Sequence, residues 1–195
     1  MTLTHHETAE DMSPIDDPHD LLRFLEDLPE LDQLKIELID GKIVMQASEA
    51  PFHNQIVMKL GMQFESHGWT ALPDQALISP ISSFEPKADL TVTTPEAMAD
   101  NANPFPADRV ALVVEIVSSD KDVDYIKKRF WYGMSEIPLY LVIDPNIGTC
   151  SLHSQPHTNG YRTVTTLEFG EPVELPEPFG FAVDTSAFKL YPPKP

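Results

Sequence analysis

Apolar positions along the chain alternate between two periods, and the switches mark the elements. Leu21, Leu22, Leu25 and Leu28 recur at helical spacing and predict a helix over Asp20–Leu31, although Pro29 fits poorly in its last turn. Lys35-Ile-Glu-Leu-Ile and Lys42-Ile-Val-Met flank Asp40-Gly41, the signature of a two-residue hairpin. Pro51 opens a helix running to about Ser66, with His53, Ile56, Val57, Leu60 and Phe64 on one face and Gly68 past its end. The period then drops to that of strands at Ala76–Ser79, Ala88–Thr93 and Val110–Val117. The last of these is almost continuously apolar, as a central strand covered on both faces would be. A polar loop rich in Pro and Asn lies between Pro95 and Pro106, and a second long helix is predicted from Asp122 to Ser135. Leu139–Ile143 reads as another buried strand, stopped by Asp144-Pro145. Cys150–His153 and Tyr161–Leu167 read as a closing hairpin, and the Pro-rich end from Leu175 is expected to wrap the surface. The order implies an α/β or α+β fold around a mixed sheet, with no internal repeat.

Composition narrows the function classes. The 195 residues suffice for one domain with a substantial core, taken here as residues 20–195 behind a flexible acidic tail over 1–19. Residues 1–40 carry twelve acids and two basic residues, and the whole chain has a formal charge of −18. Gripping phosphates by bulk positive charge is therefore excluded. No apolar run approaches the roughly 20 residues of a membrane helix, so no membrane partner is expected. The start lacks a basic region followed by an apolar stretch, and Cys150 is the only cysteine. Together these give the expectation of a cytoplasmic protein without disulfides or a multi-cysteine metal site.

The candidate chemistry sits where polar residues interrupt apolar elements. Glu115 breaks the driest strand, and burying an ionised carboxylate costs several kcal/mol unless it is paired, protonated or metal-bound. It is either a strand-end acid reaching solvent or a metal ligand or catalytic acid. Asp89 alternates with Leu90, and alone it fits an ordinary half-exposed strand. Two such acids on paired strands, however, would converge on a hard cation such as Mg²⁺ or Mn²⁺. Glu37 precedes the hairpin turn and alone reads as a solvated residue. In the second long helix, Asp124, Lys128 and Tyr132 form one row at i, i+4, i+8, while Val123, Ile126, Phe130 and Met134 form the opposite stripe and the expected core face. That row is either a solvated ion pair or, given the flanking Tyr125 and Trp131, a held lysine. His53 is either a hydrogen-bonded core histidine or a residue that orients a ligand or water. Phosphate loops, dinucleotide fingerprints, His-Glu-x-x-His and Gly-x-Ser-x-Gly are all missing.

Taken in order, Glu37-Leu-Ile-Asp-Gly-Lys-Ile, Pro51-Phe-His53, Lys87-Ala-Asp89-Leu, Val113-Val-Glu115-Ile-Val-Ser118, Asp124-x-x-x-Lys128-x-x-x-Tyr132 and Ile137-Pro-Leu-Tyr-Leu-Val-Ile-Asp144-Pro145 resemble the small bacterial restriction-endonuclease-like family of the PD-(D/E)xK nuclease superfamily. The resemblance spans roughly residues 20–170. It implies a mixed β-sheet flanked by helices, a divalent-metal site for Mg²⁺ or Mn²⁺, and hydrolysis of phosphodiester bonds, with DNA as the expected substrate. By position it implies Asp89 and Glu115 as metal-binding acids, the Ile116 carbonyl as a further ligand, Glu37 as an auxiliary acid and Lys128 as the catalytic lysine. His53, Asp124 and Tyr132 are supporting residues. Two positions depart from the superfamily pattern: Ala88 stands where a proline precedes the aspartate, and Val117 stands where a lysine follows the glutamate. Three further arrangements stay open: a homodimer by analogy with double-strand cutters, a nuclease-fold scaffold without catalysis, and a protein that borrows DNA affinity from a basic partner docked on its acidic tail.

Overall fold

The computed structural model describes residues 16–47, 49–81, 83–118 and 123–193. Most of the expected tail, and the segment 119–122 before the second long helix, lie outside the described residues. Helix α1 covers Pro18–Glu26, capped by Asp17, whose carboxylate accepts the His19 amide. Pro18 and His19 thus belong to the domain rather than to the tail. The helix ends before Leu28, because Pro29 instead opens a separate 3₁₀ turn over Pro29–Leu31.

Strands β1 (Lys35–Ile39) and β2 (Lys42–Gln46) form the expected hairpin. Asp40 and Gly41 take the left-handed backbone (φ 54° and 69°) that this turn requires. Period-2 alternation divides β1 between two environments. Ile36 and Leu38 pack under α1 with Leu22, while Lys35, Glu37 and Ile39 face the other way. Helix α2 spans Pro51–Ser66 and buries His53, Ile56, Leu60 and Phe64, as the spacing predicts.

The main sheet has seven strands in the order β5-β3-β4-β6-β7-β8-β9. They are β3 (Thr70–Ile78), β4 (Lys87–Thr93), β5 (Phe105–Pro106), β6 (Leu112–Ile116), β7 (Leu139–Asp144), β8 (Thr149–His157) and β9 (Gly160–Glu168). Among the described residues only the β3–β5 and β6–β7 pairs are parallel. Strand β3 begins six residues earlier than expected. Pro73 lacks a donor and makes the run look broken in sequence, yet it keeps register opposite Leu90. One face of the sheet is covered by α2 and by the C-terminal segment. Val173, Leu175, Phe179, Val183 and Phe188 enter this core, so the Pro-rich end seals the sheet instead of only wrapping it. Its β10 (Val173–Glu174) and β11 (Ala182–Val183) pair with each other.

The other face is covered by the crossover between β6 and β7. Val123–Lys128 form a π-helical turn that leads into α3, Arg129–Met134. Here the structure corrects the expected core stripe. Val123 is buried, but Ile126, Phe130 and Met134 are 56%, 41% and 37% exposed. Lys128, Trp131 and Tyr132 point inward in their place. The wide π turn shifts the residues out of the 3.6 period on which the stripe was drawn. Among the described residues no helix is long and apolar enough to cross a membrane.

Candidate active site at the β1–β4–β6–α3 junction

The β4–β6 ladder pairs Leu90 with Val114, and one further step sets Asp89 opposite Glu115. Both acids are buried, at 7% and 1% exposure. They line one small polar cavity together with Lys35, Glu49, Ile116 and Lys128. Sequence separations of up to 93 positions thus close within a single pocket.

Each acid is held by a different set of donors. Asp89 Oδ2 accepts the Ile116 amide at 2.8 Å and lies 3.1 Å from His53 Nε2, while Oδ1 accepts Lys35 Nζ at 2.7 Å. Burial works to raise the Asp89 pKa, but Lys35 and His53 outweigh it and hold the carboxyl well below the usual carboxylate range. Burial likewise works against the charged forms of Lys35 and His53. Asp89 overrides it in both cases, so both are shifted toward the protonated form. Glu115 Oε1 accepts the Tyr132 hydroxyl at 2.5 Å and lies 3.1 Å from Lys128 Nζ. Burial, with Glu115 beside it, raises the Tyr132 pKa well above its ordinary value and keeps the phenol a donor. Lys128 Nζ also lies 2.9 Å from Glu37 Oε1, which accepts the Lys87 amide at 2.7 Å. Glu37 Oε2 is buried with no hydrogen-bond partner among the described residues.

The structure therefore brings Glu37, His53, Asp89, Glu115, Ile116, Lys128 and Tyr132 together. Lys128 turns toward the acids from the end of the π-helical turn that precedes α3. The Asp124 side chain lies outside the described residues. Lys35 was not singled out in the sequence. The signal was present, since Lys35 lies two positions before Glu37 on the same strand and shares its face. Glu49 lies beyond β2 and had no such signal.

The donor set suits a hard divalent cation. Asp89 and Glu115 offer carboxylate oxygens to one cavity, and Glu37 is tied to that cavity's Lys128 through Oε1. Among the described residues, however, no three His, Cys, Asp or Glu side chains stand close enough to form a ready-made metal cage. Lys35 and Lys128 hold the acids instead.

Comparison with known proteins agrees with this architecture. Residues 22–186 match a protein family described as "Uma2: Putative restriction endonuclease". Among curated proteins nothing matches. One similar solved structure is the crystal structure titled as "a putative nuclease belonging to DUF820" from Anabaena variabilis ATCC 29413. It aligns with a TM-score of 0.69 and 16% identity, covering 90% of this chain and 97% of that one, and so shares its fold. The match over 165 of the 195 residues, on a mixed sheet that gathers the expected acids and lysine, places the chain in the Uma2 family of restriction-endonuclease-like proteins.

Proposed function

We propose that the protein is a divalent-metal-dependent nuclease that hydrolyses phosphodiester bonds of DNA. The observation that carries this reading is the pairing of Asp89 with Glu115 at one cavity, beside an inward-facing Lys128. Asp89 and Glu115 would hold Mg²⁺ or Mn²⁺, with the Ile116 carbonyl and Glu37 as further oxygen donors. Such an ion, when bound, polarises the phosphoryl oxygen and acidifies a water.

The chain's own residues prepare for that work. The Tyr132 hydroxyl and the Lys128 ammonium fix Glu115 through Oε1. The Ile116 amide and His53 fix Asp89 through Oδ2. Both carboxylates are thereby preorganised, and ordering costs nothing further at the moment of reaction. Lys128 places a positive charge in a buried pocket, where charge growing on a phosphate is stabilised more strongly than in water. This local charge explains how a −18 chain can serve a polyanionic substrate at all.

The net charge itself favours a second reading, a nuclease fold kept as a scaffold. Incubating plasmid DNA with Mn²⁺ or Mg²⁺ and either the wild type or Glu115→Ala separates the two. The nuclease reading expects nicking or linearisation by the wild type and loss of cleavage in the variant. Equal cleavage by both would point to a contaminant, and no cleavage by either would favour the scaffold.

A further inference from the structure

Lys35 occupies an unusual position for a surface-strand lysine. Its side chain is 11% exposed, and its ammonium lies 2.7 Å from Asp89 Oδ1. A second carboxylate, Asp74 Oδ1, lies 3.7 Å away on the solvent side, with its side chain 63% exposed. The β3–β4 register runs from Pro73 opposite Leu90 to Gln75 opposite Ala88, which sets Asp74 across from Asp89. Asp74 has a φ of 49°, so the strand departs from extended geometry at this one residue. Lys35 is therefore bracketed by two acids, one in the pocket and one at its mouth.

We infer that Lys35 is the resident counter-ion of the cation site, and that a divalent metal loads by displacing its ammonium from Asp89 toward Asp74. This rests on the metal-site reading above and adds the residue that regulates occupancy. The reasoning is electrostatic. An ammonium and a divalent ion cannot both sit against the same carboxylate oxygen in a pocket of low dielectric without strong repulsion. The Lys128 ammonium is anchored between Glu37 and Glu115 within the pocket, whereas Lys35 has an exposed acid to move to. The exchange keeps Asp89 neutralised in both states. The apo protein then avoids an unpaired buried carboxylate, and metal binding starts from a paid-up site rather than an open one.

Mn²⁺ titration calorimetry on full-length wild type, Lys35→Met, Asp74→Asn and the double variant tests this without relying on catalysis. Lys35→Met should bind Mn²⁺ at least about tenfold more tightly than the wild type, because the competing charge is gone. Asp74→Asn should bind about threefold or more weakly in the wild-type background and show little further effect in the Lys35→Met background. That loss of coupling distinguishes displacement from a simple field effect, which would make the Asp74 change equal in both backgrounds and overturn the inference. Wild-type binding with no tightening in Lys35→Met would also overturn it, while leaving the metal site standing. Absence of Mn²⁺ binding by every variant would overturn the metal site and this inference with it. If Lys35→Met does not fold, exposed Asp74→Asn carries the test, and unchanged affinity there refutes the displaced-lysine route.

Discussion

Replacing Lys128 with methionine tests the electrostatic logic of the site through stability alone. Glu37 Oε1 and Glu115 Oε1 lie 2.9 and 3.1 Å from the same nitrogen, so they lie at most 6.0 Å from each other. At an effective dielectric near 20, two negative charges at about 6 Å repel by about 3 kcal/mol. The ammonium now offsets that repulsion, and all three side chains are at most 3% exposed, so solvent offers little screening. Breaking a buried pair by removing one partner costs about 3–5 kcal/mol, which agrees with the Coulomb figure. For a chain of this size, Lys128→Met should lower the melting temperature by about 10 °C or more. Urea denaturation followed by circular dichroism measures the free-energy change directly. Adding Glu37→Gln to Lys128→Met removes one of the two facing charges and should recover about half of the loss. A single-variant loss below about 1 kcal/mol, or no recovery in the double variant, would refute the reasoning, because it would place the two carboxylates in water.

Two further outcomes test other parts of the fold. His153 is buried against Tyr140 and Tyr161, and burial, with Arg129 nearby, lowers its pKa from 6.5 to about 4. The unfolded chain therefore takes up this proton near pH 6.5 while the folded chain resists until about pH 4. The neutral ring contributes up to about 3 kcal/mol above pH 6.5, and this is lost as the pH falls between those values. His153→Phe should flatten that part of the stability–pH curve measured by urea denaturation, and an unchanged slope would count against the assignment. At Gly133 an added Cβ would meet the Gly160 carbonyl oxygen at 2.1 Å, where backbone cannot give way easily. Gly133→Ala should therefore cost about 2–3 kcal/mol by forcing α3 off the β8–β9 turn, and a melting temperature within a degree of wild type would show that the contact is loose.

Legibility in the sequence followed the range of the interactions. The β1–β2 hairpin and α2 were readable because Asp40-Gly41, Pro51 and the Ile56–Leu60–Phe64 face are local signals. Glu115 is legible because it interrupts an apolar strand, whereas Asp89 alone reads as ordinary alternation and gains meaning only from a second acid on a paired strand. The face of the second long helix was misread because its first turn is π, and no side-chain period announces a change in hydrogen-bond step. The C-terminal contribution to the core was hidden because Phe179, Val183 and Phe188 sit among prolines without periodicity. Lys35 shares a strand face with Glu37, but its partner Asp89 lies 54 positions away, so only the fold shows what the lysine holds.

The hairpin that carries Lys35 and Glu37 joins no strand of the seven-stranded sheet. It is seated by the Leu38–Glu85 bridge, with reciprocal amide bonds of 3.1 and 2.8 Å, and by the Gly41 amide on the Ser83 carbonyl. Glu85 is itself gripped by Arg23 and His19 of α1. The hairpin thus delivers one lysine and one glutamate to the pocket from outside the main sheet. Without these two side chains Asp89 would lose Lys35 while keeping His53 and the Ile116 amide, and Lys128 would lose Glu37. Substitutions at Lys35 and Glu37 therefore change the charge of the pocket without replacing any residue of the seven strands.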